Sequence, residues 1–325
     1  MSQNIPRHHH FVPHFYLAGF TPAGTKDDML VVHDLRTGRQ RPSKPGNTGS
    51  ERDFYMLEVE EDQNFDAVAI ERLFGQIEDR GAHAVRLIAE TGELPSGEDY
   101  EKLIDFMAIM AVRGPGVLKI IDEFHENVIK SIAHEVTAAN EGWDSIVSDL
   151  RAEGKKIDKS DWEGIRKFIE SGQYRASLNQ NFRMGVVLEM LKPTFGLLAS
   201  RKWTILRAPA DGPAFICSDR PLSVRWTDPA KMGGLSPAPG MFGTSVLFPL
   251  NKSLALIGMF EGNLPPRQVT AHEIAFFNTW TALFADRYLY TAQPDFAVIA
   301  NDGAVGGKSE LMERLADKKG PPLIP

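Results

Sequence analysis

The chain has 325 residues, 42% hydrophobic and 24% charged, enough to build a sizeable core in one large domain or two. A net charge of -7 weighs against broad, sequence-independent nucleic-acid binding, although it leaves room for a local basic cleft. The lone Cys217 excludes an internal disulfide, the polar start MSQNIPRHHHF lacks the apolar region of a signal peptide, and the longest apolar run, FMAIMAV, is too short for a membrane span, so a cytoplasmic protein without a membrane partner is expected.

The first element is RHHHFVPHFYLAGF, Arg7 to Phe20. Pro13 suits the first position of a short helix and Gly19 its C-terminal end, with Phe15, Tyr16, Leu17 and Phe20 as core anchors. His10 and His14 have the H-x-x-x-H spacing of a zinc pair. Pro13 interrupts the continuous helix that such a pair needs, and no glutamate follows His10, so no metal is assigned. His8 and His9 are expected to be exposed polar residues, which leaves His10 as the one histidine of interest.

Residues 30–33 and 53–57 read as short strands around the turn-rich TGRQRPSKPGNTGS. Helical periodicity then predicts a helix over 65–89, where Gly81 is expected to bend or loosen it. A helix over 97–112, apolar nearly all round, is expected to be central and to be broken by Gly114-Pro115. Further helices are expected over 117–139, after Ser160 (capping-box spacing to Glu163, Gly172 at the end), and over 175–199 with a bend near Pro193. From Lys202 the signals are β: WTILRA, AFICS, LSVRW, SVLFPL, SLALIGMF and RYLYTA, interrupted by one apolar helix whose Thr270 and Glu273 form a second capping box. The expected fold is α+β, with a helical region over 1–200 packed on a mainly antiparallel β-rich region over 201–325 that carries one further helix.

Several segments, in order, carry a resemblance: HFVPHFYLAGF, DFYML after a basic loop, IERLFGQIE, FMAIMAVRGP, FICSDRP, VLFPL, FFNTW and DRYLY. Together, from His10 to about Tyr290, they resemble a bacterial family described as domain of unknown function 4238. Two departures stand out: Cys217 where the family more often has Thr or Ser, and Arg220 where it more often has Asn. The resemblance implies a fold and a set of residues worth testing, namely His10, Tyr16, Glu71, Glu78, Arg113, Ser218, Asp219 and Asn278. It implies no chemistry.

Each of these residues has a structural and a functional reading. His10 is either a packed imidazole or a general acid/base. Glu71 and Glu78 lie two turns apart on one helix face, placed for salt bridges or to meet Arg113. Arg113 sits at a helix C-terminus, where the dipole favours a cation, or grips a phosphate or carboxylate with its planar fork. Asp219 follows a strand and either closes an Asx-turn or is a mounted catalytic carboxylate. Ser218 lacks a G-x-S-x-G elbow, Cys217 reads as a buried inert thiol, and the glycines form neither a dinucleotide nor a Walker loop, so no cofactor is expected.

Two functions compete. One is a metal-independent phosphodiesterase or nuclease-like hydrolase, a toxin or defence enzyme acting on RNA, DNA or another phosphorylated ligand. In it His10, Arg113, Asp219 and Glu78 are catalytic, while Glu71, Tyr16, Ser218 and Asn278 bind substrate. The other is a non-catalytic binding or interaction protein in which the same residues form a buried polar network. A metal-dependent hydrolase ranks third.

Overall fold

A computed structural model describes residues 7–59, 66–138, 144–145, 148–149, 151–154, 161–231, 236–262 and 264–316. It is α+β. The described helices are α1 (His14–Ala18), α2 (Ala69–Thr91), α3 (Gly97–Val112), α4 (Pro115–Ala138), α5 (Asp161–Ser171), α6 (Gln180–Ala199), α7 (Ala271–Phe284) and α8 (Lys308–Ala316). The strands are β1 (His8–His10), β2 (Leu30–Asp34), β3 (Gln40–Ser43), β4 (Ser50–Arg52), β5 (Lys202–Arg207), β6 (Cys217–Ser218), β7 (Ser223–Trp226), β8 (Thr244–Asn251), β9 (Leu254–Met259), β10 (Arg267–Gln268), β11 (Tyr288–Thr291), β12 (Val298–Ile299) and β13 (Val305–Gly306).

The chain forms two compact units, one of residues 1–116 and 187–325, the other of residues 117–186. The change of character near residue 200 is therefore a change of secondary structure within the larger unit. In the smaller unit, α4 and the first turns of α6 are joined by Arg183–Asp122 at 3.3 Å and by the ring of His125 on Phe182.

The larger unit holds a five-stranded sheet of order β10-β5-β9-β8-β7 and a four-stranded sheet of order β3-β2-β11-β6. All pairings are antiparallel except β10 with β5. The four-stranded sheet was not legible as such. It pairs Val31 with Thr291 and Asp34 with Tyr288, so early and late segments share one sheet. Strand β8 is buried on both faces, as its near-continuous apolar run requires. Pro249 is tolerated there because the β8–β9 register shifts between Pro249 and Asn251.

Helix α7 begins at the anticipated capping box: Thr270 Oγ1 accepts from the Glu273 N–H at 3.2 Å, and Glu273 accepts from the Thr270 N–H at 2.8 Å. Its apolar side packs on the sheet face formed by Leu206, Leu247, Ala255 and Ile257. The opposite sheet face carries Phe248, which stacks on Tyr16 and meets Phe106 of α3 edge-on. Helix α3 is central as expected, with its apolar residues from Leu103 to Val112 buried.

Several local expectations are corrected. Gly81 does not loosen α2; a Cβ there would sit 2.4 Å from Phe106 Cβ, so the glycine permits the close crossing of α2 and α3. Residues 53–57 are not a strand. Strand β4 ends at Arg52, Asp53 turns into the left-handed region at φ 56°, and Tyr55 is buried in the core. Pro13 is the N-cap of α1 with an extended ψ of 142°, one position earlier than anticipated. Gly19 ends α1 in the right-handed region; its lack of a Cβ matters because Asn251 Cβ would lie 2.8 Å away. Helix α6 starts at Gln180, not 175. Ser160 and the side chain of Glu163, the other anticipated capping box, lie outside the described residues.

Candidate functional site

Strand β1 brings His10 into place. It pairs with β4, setting His10 opposite Ser50, and the alternation of the strand buries His9 between two more exposed neighbours. His9 is thus not the exposed histidine anticipated. Its Nδ1 accepts the Tyr55 N–H at 2.8 Å, and its ring stacks on that of Tyr55. The Gly46 backbone is a hydrogen-bond partner of the His10 ring. Nε2 is buried and has no partner among the described residues.

Arg113 caps the C-terminus of α3 and is fully buried. Its Nε donates to the Phe11 carbonyl at 3.0 Å, its Nη1 to Glu78 Oε1 at 2.5 Å and its Nη2 to Met110 Sδ at 3.2 Å. Phe74 lies against the guanidinium, and Tyr55 donates its hydroxyl to the Arg113 carbonyl. Glu71, two turns before Glu78 on α2, faces the same ion pair. Sequence reasoning thus placed Glu71, Glu78 and Arg113 near one another, and the structure adds Tyr55, whose only signal was its place in the aromatic run after the basic loop.

The environments of His10 and Glu71 are shifted in opposite senses. Burial, then neighbouring His14, holds His10 below its ordinary 6.5. Burial, then the negative charge of Glu78, pushes Glu71 up to about 7. Near neutrality the usual order is inverted: the imidazole is neutral and the carboxyl about half protonated, and both feel the charges of the Arg113–Glu78 pair. Groups whose environments drive their protonation apart in this way are suited to divide base and acid roles.

The other four candidates hold backbone. Asp219 is buried, and its carboxylate accepts the N–H groups of Asp286, Arg287 and Tyr288 at 2.9, 2.8 and 2.9 Å. These donors stand at the start of β11, so the residue is a long-range clamp and not an Asx-turn with its own neighbours. Burial raises its carboxyl to about 6 against those three donors. Ser218 Oγ bonds the backbone of Arg220, and Asn278 bonds the Ile216 N–H and the carbonyls of Ala214 and Ala297. Tyr16 donates to the Pro249 carbonyl. The extra cation at Arg220 lies over the Phe284 ring. Cys217 is buried, and burial pushes its thiol well above the ordinary range.

The profile of a family described as protein of unknown function (DUF4238) matches residues 8–295, a span that holds His10, both glutamates, Arg113, Asp219 and Asn278. The chain belongs to this family. No curated protein and no solved structure matches it. What a DUF4238 chain does must therefore be argued from its own geometry. Among the described residues of this member, no three His, Cys, Asp or Glu side chains gather as a metal site, and no helix is long and apolar enough to cross a membrane.

The stretch that leads to Gly46 is basic. Between Arg36 and Arg52 the sequence has five cations and one carboxylate, and Arg39, Arg41 and Lys44 are exposed on and beside β3. This stretch leads to Gly46, the residue that holds the His10 ring.

Proposed function

We propose that the protein is a metal-independent phosphodiester-cleaving enzyme acting on RNA. The observation that carries this reading is the opposed pair, a His10 held below and a Glu71 raised above their ordinary ranges, both under the charges of one buried Arg113–Glu78 ion pair. Cleavage of RNA by its own 2′-hydroxyl needs one base and one acid and no metal-activated water. In this scheme substrate binding uncovers the buried His10 Nε2, which takes the 2′-hydroxyl proton; the 2′-oxygen attacks phosphorus, and the departing 5′-oxygen takes its proton from Glu71. The products are a 2′,3′-cyclic phosphate and a free 5′-hydroxyl. The exposed cations of β3 supply the local attraction for a polyanion that the net charge of the chain does not.

Arg113 is in this scheme a positioning residue, since three of its N–H groups already hold Glu78, Phe11 and Met110. Asp219 lies outside the reacting group. The test is cleavage of a labelled single-stranded RNA by purified protein in the presence of EDTA. Wild type should release cyclic phosphate, and His10→Ala and Glu71→Gln should each lower kcat/KM by about 10²–10⁴-fold. The rate should fall at acid pH as His10 is protonated and again above about pH 7 as Glu71 ionises. Intact RNA, or unchanged cleavage in His10→Ala, refutes the proposal.

A second reading, a non-catalytic interaction protein with a buried polar network, is favoured by the complete engagement of Asp219 and Asn278. It requires His10→Ala to lower Tm by several degrees with no RNA cleavage in either protein.

A further inference from the structure

Helix α3 carries a single charge in its apolar part. From Leu103 to Val112 every residue except Asp105 is apolar. A carboxylate placed there loses hydration, and that loss costs stability unless a partner offsets it. Asp105 is partly buried, and no group among the described residues hydrogen-bonds or ion-pairs with it. Burial raises its carboxyl above the ordinary range, against the pull of Arg80 and with a further push from Glu101. The Arg80 Nε donates to the Gln76 carbonyl on its own helix.

A second observation is the space beside this carboxylate. Asp105, Ala108 and Ile109 of α3, Ile77 of α2, and Leu191 and Phe195 of α6 line a cleft of about 380 Å³ within the larger unit. Its other two lining residues, Glu101 and Lys192, are exposed and opposite in sign. The rim charges therefore cancel, and Asp105, the least exposed of the three, is the uncompensated charge of an otherwise apolar cleft. A carboxylate perturbed by burial in a cleft marks a candidate binding site.

We propose that this cleft binds a small primary amine with an apolar body, the ammonium on Asp105 and the body against Ile77, Leu191 and Phe195. An ammonium is compact, carries several donors and cancels the one charge inside the cleft. A quaternary ammonium offers Asp105 no hydrogen bond and is held by a cage of aromatic faces, whereas this cleft has one aromatic residue, Phe195. A divalent cation takes more oxygen ligands than the cleft supplies, and among the described residues no three His, Cys, Asp or Glu side chains gather as a metal site. The modest volume limits the ligand to a small one. The cleft shares no residue with the proposed His10–Glu71 centre, and either can fail without the other.

The experiment is calorimetric titration of the full chain at pH 7 with phenethylamine hydrochloride. Wild type should bind phenethylamine at least about tenfold more tightly than phenethyl alcohol, which has the ring without the charge, or ethylamine, which has the charge without the ring. Asp105→Asn keeps the size of the side chain, removes the charge and should weaken binding at least about tenfold. Leu191→Trp should abolish binding by filling the cleft from a partly exposed position, and it serves if Asp105→Asn does not fold. Magnesium chloride should not displace the amine. Absent phenethylamine binding at millimolar concentration, equal or tighter binding of either control, displacement by an equal concentration of magnesium, or unchanged binding in a folded variant overturns the proposal.

Discussion

Replacing Glu78 by alanine is the sharpest test of how the His10–Glu71 centre is held together. Arg113 has no exposed surface, and the Glu78 side chain is only 18% exposed. Deleting the carboxylate leaves a desolvated guanidinium with its Nη1 donor facing a cavity, while its bonds to Phe11 and Met110 persist. Breaking one partner of a buried pair costs about 3–5 kcal/mol. The partial exposure of Glu78 admits water and places this case near about 3 kcal/mol, a fall in Tm of about 6–12 °C for a unit of this size. Urea unfolding followed by far-ultraviolet circular dichroism measures it, with the slope checked because two compact units need not unfold together. Glu78→Gln keeps an acceptor and should lose less. The double variant Glu78→Leu with Arg113→Met removes both charges and should recover much of the loss, because hydrophobic replacement of a buried pair is often neutral. A loss below about 0.5 kcal/mol for Glu78→Ala, typical of a surface change, would refute the account of Arg113 as a dependent buried cation.

Three further outcomes follow from particular contacts. Glu71 ionises near 7 when folded and near 4.5 when unfolded, so its stabilising contribution is complete below pH 4.5 and disappears as the pH rises through 7. Stability measured from pH 4 to 8 should decline over that window, with Asp219, raised to about 6, acting in the same sense, and Glu71→Gln should remove the Glu71 share of at most about 3 kcal/mol; an unchanged slope contradicts the assignment. Gly81→Ala should destabilise by about 1–3 kcal/mol in chemical denaturation despite a gain of about 1 kcal/mol in helix propensity, because the new methyl meets Phe106; a stabilised variant would mean α2 and α3 are not in close contact. Asp219→Ala strands three backbone N–H groups at the start of β11 and should cost about 3–5 kcal/mol by thermal melting, whereas a wild-type melt with altered RNA cleavage would return Asp219 to the active centre.

The sequence by itself determined the elements whose signals are local. The apolar periodicity of α2 and α3, the Thr270–Glu273 capping box and the β-branched runs of β5, β8 and β9 depend on neighbours within a few residues, and each lies where its pattern places it. The family, too, was legible, since short motifs in fixed order survive without knowledge of their contacts. What required the tertiary structure was every role set by a partner far along the chain. Gly81 read as a weak point in a helix until Phe106 was found against it, 25 residues later by sequence number. His9 read as exposed because nothing near it announces Tyr55. Asp219 read as a possible catalytic carboxylate until three N–H groups from β11 occupied it. His10 and Glu71 could be named from the sequence, but their opposed protonation comes from burial and from the charges of His14, Glu78 and Arg113, which only the packing of β1, α2 and α3 brings to bear.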